Sequence, residues 1–296
     1  MKTKFKSGYV TIIGHPNVGK STLLNVLLNR KISIVTPKPQ TTRQRILGIL
    51  SSEEYQIIFL DTPGILKPRY QLHRFMLEEI EKSLNDADLV ILMIEANNPE
   101  KTDRKILKEI LPSQKNLFLV INKIDKIAKL DLLPLIDEWK DYFNFQEIIP
   151  ISALNRDGVD LLLKNILKFI PEGQPFYPPD MVAEQPGRFF VAELIRETIF
   201  EWMQQEIPYS TAVLVDPFQS RGKKLFIRAE IIVERPTQRA ILIGKEGASL
   251  KQIGTIARQK IEEFLKQEIF LELWIRVSKN WKKDFKQLAK LGYKGD

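Results

Sequence analysis

Cysteine is absent from the 296 residues, and only two histidines are present. The absence of cysteine excludes disulfides, thiolate metal centres and a catalytic thiol, and it suits a reducing compartment. His15 and His73 stand in no pattern that would make a metal centre or a catalytic pair. Long apolar runs are missing too. The longest, "LVILMI" at 89–94, spans six residues, far short of the ~20 that a membrane helix needs. The basic start "MKTKFK" is followed only by "VTII" before Gly14, which provides no signal-peptide core. The expectation is a cytoplasmic protein.

What is present reads as a globular chain. Apolar residues make up 44% and charged residues 28%, too apolar for a disordered segment. The length accommodates two domains of ordinary size. Net charge is +8, and the surplus is denser near the C-terminus. Residues 181–296 carry 20 Lys+Arg against 15 Asp+Glu, whereas residues 1–180 carry 25 against 22. A polyanion would therefore dock most readily on the C-terminal part.

Short apolar runs alternate with amphipathic segments along the first half. "YVTII" (9–13), "YQIIFL" (55–60), "DLVILMI" (88–94), "NLFLVI" (116–121) and "EIIPI" (147–151) read as strands. Their near-continuous apolar character is that of strands covered on both faces. Helical patterns fall at about 20–29, 73–84, 101–111, 131–142 and 158–169. Strand then helix, repeated, predicts an α/β doubly wound sheet over residues 1–170. Such sheets bind ligands in the loops after the carboxyl ends of their strands.

Those loops carry the chemistry. After the first run, Gly14-His-Pro-Asn-Val-Gly-Lys-Ser21 fits GxxxxGK[ST] and leads into the helical "TLLNVLLN". Gly14, Asn17, Val18, Gly19, Lys20, Ser21 and Thr22 are the candidate phosphate cradle, with backbone N–H groups pointing inward at a helix N-terminus. Lys20 supplies charge to the β- and γ-phosphates, and Ser21 a hydroxyl to Mg²⁺. "DTPG" follows the second run: Asp61 is placed to hold the metal, and the N–H of Gly64 to sense the γ-phosphate. "NKID" (122–125) and "SAL" (152–154) select the base. Guanine presents N1–H and an exocyclic amine side by side, which two carboxylate oxygens of Asp125 match. Adenine would leave that carboxylate unpaired. Asn122 and Lys123 brace this loop, and Ser152, Ala153 and Leu154 complete it, with the Ala153 N–H aimed at the guanine carbonyl.

The ordered set resembles the translation-factor-like branch of the GTPases, and "GHPNVGKSTLLN", "QTTRQ" (40–44) and "DTPG" resemble the Era family in particular. The resemblance implies that a threonine of "QTTRQ" coordinates Mg²⁺ and reports the γ-phosphate; Thr42 is favoured, with Thr41 the alternative. Lys20, Thr42 and Gly64 would then serve hydrolysis, and Ser21, Thr42 and Asp61 the metal. One departure concerns water. Where Ras-like GTPases carry a glutamine after DxxG, this chain has Ile65, so intrinsic hydrolysis is expected to be slow. Related GTPases with an asparagine at the position of Asn17 use it to hold K⁺ beside the phosphates, a second candidate cation site.

"PEGQPFYPPD" (171–180) contains four prolines and a glycine and reads as a stiff linker, assigned to 171–186. From 187 to 296 the pattern is α-β-β-α-α-β plus a tail, an α+β domain. Its "ILIGKEGASLKQI" (241–253) resembles the core of a KH domain of the bacterial, type II order. In KH domains a GxxG loop approaches the backbone of about four single-stranded nucleotides. Ile241, Ile243, Gly244, Lys245, Gly247 and Lys251 are the candidate RNA contacts, with Ile253 in the groove or in the core. In the tail, Trp281, Phe285 and Leu288 are expected to form one apolar stripe of a terminal helix.

The resemblance implies a monomeric GTPase acting with GTP/GDP and Mg²⁺. It implies binding of single-stranded RNA near the 3′ end of 16S rRNA during assembly of the 30S small ribosomal subunit. A membrane-associated signalling GTPase, peripheral to the inner membrane face, is the alternative. A P-loop kinase fits poorly, because NKxD and SAL would have no role in it.

Overall fold

Strands that are apolar on both faces need a layer on each side, and the computed structural model builds that arrangement first. It describes residues 4–111, 116–222 and 224–293. Two compact units are present, one holding residues up to 68 with 76–184, the other 69–75 with 185 onward.

The first unit is built on six strands, β1 (Lys6–Gly14), β2 (Ile46–Ser51), β3 (Tyr55–Asp61), β4 (Leu89–Glu95), β5 (Leu117–Asn122) and β6 (Glu147–Ile151). Their order is β2-β3-β1-β4-β5-β6. All neighbours run parallel except β2, which is antiparallel to β3. Every residue of β4 is buried, as are all six of β5, which explains their lack of alternation. Its helices are α1 (Lys20–Leu28), α2 (Gln71–Asp86) from Met76 onward, α3 (Arg104–Ile110), α4 (Lys129–Trp139) and α5 (Val159–Phe169). On α1, Leu23, Leu24, Leu27 and Leu28 are buried, each contributing ~1.5–3 kcal/mol by leaving water.

Two local differences from the expected pattern have clear causes. Strand β2 carries Leu47, Gly48 and Ile49 at the sheet edge, outside the strand–helix alternation, so the pattern held no sign of it. Helix α3 starts at Arg104 because the Asp103 carboxylate caps it, accepting from the N–H groups of Lys105 and Ile106 at 3.0 and 3.3 Å. The proline-rich stretch is tied down along the first unit. Ser7 N–H donates to the Pro171 carbonyl at 3.1 Å, and the Gln56 oxygen accepts from Phe176 and Tyr177 N–H at 2.7 and 2.9 Å.

The second unit contains α6 (Gly187–Trp202), the short α7 (Ile207–Ser210), β7 (Ala212–Arg221), β8 (Lys224–Val233), α8 (Pro236–Ile243), α9 (Ala248–Leu265), β9 (Ile269–Val277) and α10 (Phe285–Lys290). Its sheet has the order β7-β8-β9, with β7 antiparallel and β9 parallel to β8. Ile253, Ala257 and Ile261, spaced one helical turn apart on α9, join Val191, Ile195 and Ile199 of α6 and Ile227 and Ile231 of β8 in the core. The single tail stripe does not form. Asp284 caps α10, accepting from Gln287 N–H at 3.0 Å, and so interrupts the expected helix. Trp281 and Leu288 are buried, but Phe285 is 59% exposed.

Candidate functional site

The carboxyl ends of β1, β3, β5 and β6 release the four loops that the sequence singles out. Between β1 and α1 the backbone curls through Asn17 (φ 67°) and Gly19 (φ 104°). Lys20 opens α1 with its side chain buried, and Nζ donates to the carbonyls of Gly14 and His15 at 3.1 and 3.2 Å. Burial pushes the Lys20 ammonium down to about 8, against the opposing pull of Asp61. A buried cation of this kind is suited to an incoming polyanion.

Ser21 Oγ donates to Asp61 Oδ2 at 2.7 Å and lies 3.1 Å from Thr42 Oγ1. The structure therefore brings Thr42 to Ser21, whereas Thr41 Oγ1 donates to the Lys38 carbonyl at 2.6 Å and meets Thr36 Oγ1 at 2.8 Å. Asp61 is completely buried, and burial raises its carboxyl above the usual range, while Lys20, Ser21 and Ser33 pull it down. Its Oδ1 has no hydrogen-bond partner among the described residues. A buried carboxylate oxygen left over beside two hydroxyls forms a hard, all-oxygen donor set, the kind Mg²⁺ takes. Ser21, Thr42 and Asp61 thus fit that ion.

Gly64 stands against the phosphate loop. A Cβ there would lie 2.5 Å from Pro16 Cγ and 2.7 Å from Pro16 N, so only glycine permits this approach. Next to it, Ile65 donates its N–H to the Gly14 carbonyl at 3.0 Å and buries its side chain in the core, away from any water-positioning role.

On the base side, Asn122 ties two loops together. Its Nδ2 donates to the Val18 carbonyl at 2.7 Å, and its Oδ1 accepts from Ala153 N–H at 2.9 Å. Lys123 Nζ donates to the Asn17 carbonyl at 2.7 Å. Ser152 Oγ donates to Asp125 Oδ1 at 2.5 Å, which orients that carboxylate. A cavity of about 540 Å³ has Asn17, Gly19, Lys20, Ser21, Thr22, Thr42, Gly64, Lys123 and Leu154 in its wall. Gly14, Val18, Asp61, Asn122, Asp125, Ser152 and Ala153 are outside that wall.

Three residues that sequence reasoning passed over also belong here. Ser33 Oγ donates to Asp61 Oδ2 at 2.8 Å. Asn25 holds Ser33 in place, accepting from its N–H at 2.9 Å and donating to its carbonyl at 2.7 Å. Glu95 lines the cavity at the end of β4. The strand-end rule applies to Glu95 directly; Ser33 and Asn25 carry no sequence signal, since their contacts join separate segments.

In the second unit, Gly244 takes φ 72° and ψ −179°, a region open essentially to glycine alone, and a Cβ there would lie 2.7 Å from Ser249 Cβ. A groove of about 510 Å³ is lined by Gly247, Leu250, Lys251, Gly254, Thr255 and Arg258 on one side, and Leu271 and Leu273 on the other. Gly247 and Lys251 are therefore in the groove, whereas Ile241, Ile243, Gly244 and Lys245 are outside its wall. Ile253 is fully buried in the core. Thr255 and Arg258 follow Lys251 along the same face of α9, and helical spacing from Lys251 is the signal that points to them.

Residues 9–123 match the family described as "50S ribosome-binding GTPase", and residues 206–282 match the KH domain family. GTPase Era of Syntrophus aciditrophicus (strain SB) is 47% identical over 294 residues, covering 98% of this chain and 95% of that protein. The chain belongs to the Era GTPase family. As a member it is a GTPase, hydrolysing GTP to GDP and phosphate. GTPase Era of Geobacter metallireducens is 46% identical over 292 residues, with 98% of both chains covered. Among solved structures, an Aquifex aeolicus Era variant bound to GDP·AlF4⁻ superposes with a TM-score of 0.93 at 43% identity, covering 98% of this chain and 99% of that one. An Era structure in complex with MgGDPNP and nucleotides 1506–1542 of 16S ribosomal RNA has the same TM-score, identity and coverage. The doubly wound unit followed by a KH unit is thus the Era architecture.

Proposed function

We propose that this Era-family GTPase carries out hydrolysis at the β1, β3, β5 and β6 loops and binds single-stranded RNA through its KH unit. The observation that carries the first half is the meeting of Ser21, Thr42 and Asp61 beside buried Lys20, with Asn122 joining the phosphate loop to the base loop. Water attacks the γ-phosphorus, the bond to the β–γ bridging oxygen breaks, and GDP leaves with the electron pair. Lys20 binds the β- and γ-oxygens, and the Gly64 N–H orients the γ-phosphate. Asp125 and the Ala153 N–H hold guanine. Ser21, Thr42 and Asp61 would hold Mg²⁺, which when bound offsets negative charge on the phosphate oxygens.

Asn17 supports a role for K⁺. Its side-chain amide donates to the Pro37 carbonyl at 2.7 Å, so the group faces a carbonyl of the segment leading to Thr42. With its oxygen turned inward instead, Asn17 would hold a monovalent cation, which would supply positive charge where Ile65 offers none. Turnover is expected to be at least about tenfold faster in K⁺ than in Na⁺; equal rates in the two salts remove the role.

The RNA half rests on the groove between α9 and β9, on the glycine-only loop at its end, and on the solved relative that holds 16S rRNA nucleotides. The RNA is assigned to the 3′ end of 16S rRNA, and the role to assembly of the 30S subunit. Ultraviolet crosslinking of the full-length protein, followed by sequencing, is expected to recover that segment, in higher yield with a non-hydrolysable GTP analogue than with GDP. Recovery of no rRNA, together with flotation on anionic vesicles, would favour the membrane-signalling reading instead. No helix among the described residues is long and apolar enough to cross a membrane.

A further inference from the structure

Strand β4 ends in a carboxylate inside a cavity suited to a polyanion, which is an unfavourable place for negative charge unless something holds it. Parallel pairing of β4 with β5 sets Glu95 opposite Asn122. The next residue, Lys123, takes a left-handed turn (φ 65°), and its Nζ reaches Glu95 Oε1 at 2.9 Å. The Glu95 side chain is only 8% exposed and that of Lys123 23%, so the pair is largely withdrawn from water. The same Nζ donates to the Asn17 carbonyl at 2.7 Å. Asn17 in turn sits at positive φ and donates its amide to Pro37. Asn98 Nδ2, at 3.5 Å, approaches Glu95 from the following turn.

We infer that Glu95 is a positioning residue for nucleotide binding, acting through Lys123 to hold the tip of the phosphate loop at Asn17. A lysine loses much of its rotamer freedom when its head is fixed. Glu95 makes that ordering part of the folded state, so that the nucleotide does not bear it on binding. The charge of the pair is mutually cancelled, which removes the repulsion a lone carboxylate would exert on phosphates. This inference rests on the guanine-nucleotide reading of the cavity.

The test is a double-mutant cycle read by dissociation of fluorescently labelled GDP from the full-length protein. Glu95→Ala is expected to dissociate faster by on the order of tenfold, the loss of one charge-assisted hydrogen bond. Glu95→Gln keeps an acceptor oxygen and is expected to dissociate more slowly than Glu95→Ala. In a Lys123→Met background Glu95→Ala is expected to add less than about twofold, since its route of action is gone. A full effect persisting in that background, a Gln variant no slower than Ala, or a parental rate for Glu95→Ala overturns the inference. Should Glu95→Ala fail to fold, the cycle with Glu95→Gln decides in the same way. Failure of the parent protein to bind labelled GDP would instead strike the nucleotide reading itself.

Discussion

Asp125→Asn is expected to exchange guanine selectivity for xanthine selectivity. The carboxylate presents two acceptors, matched to the paired N1–H and amine of guanine. Asparagine presents one acceptor and one donor, matched to the N1–H and C2 carbonyl of xanthine. Ser152 Oγ already holds Asp125 Oδ1 at 2.5 Å, and it is equally able to hold an amide oxygen, so the loop keeps its shape. GTP affinity should fall by on the order of 10⁴, the scale on which a site built to hydrogen-bond a substrate group rejects a mismatched one, while xanthosine triphosphate becomes a substrate. Competition between the two nucleotides in a hydrolysis assay reads the result. Retained GTP preference would mean that base selection resides elsewhere.

Lys20→Met is expected to reduce hydrolysis by on the order of 10³, the scale on which charge aimed at a transferring phosphoryl group counts. Its folding effect should go the other way. Burial holds the Lys20 ammonium down at about 8, which means that carrying its charge at neutral pH costs the protein stability. Methionine fills similar volume with no charge to bury, so the ligand-free variant should melt no lower than the parent in a thermal scan. Loss of both activity and stability would show that Lys20 supports the loop rather than the phosphates.

Much of the first unit was legible because its strands are covered on both faces and so print as unbroken apolar runs. The five runs from "YVTII" to "EIIPI" all became strands of one sheet. Strand β2 escaped although four of its six residues are buried, because it pairs antiparallel at the sheet edge and stands outside the strand–helix alternation by which the others were read. Local hydrogen bonding also overrode periodicity. Asp103 and Asp284 each cap a helix, and the second cap moved Phe285 out of the stripe it would share with Trp281. In the second unit the glycine loop was legible through its spacing, but the wall that faces it, Leu271 and Leu273 of β9, was not.

Residue types alone were enough for the alternation of strand and helix, for the loops that follow β1, β5 and β6, and for the glycine pair before α9. Each of these depends on a few side chains at short spacing, where backbone geometry leaves little choice. Packing in three dimensions was needed to place Thr42 rather than Thr41 at Ser21, Ser33 against Asp61, and Glu95 on Lys123. Those contacts join residues 21 to 28 positions apart; the register of β4 on β5 sets Glu95 beside the residue before Lys123, and the end of β3 puts Asp61 where Ser21 and Ser33 reach it. A pattern read along the chain carries no record of that register.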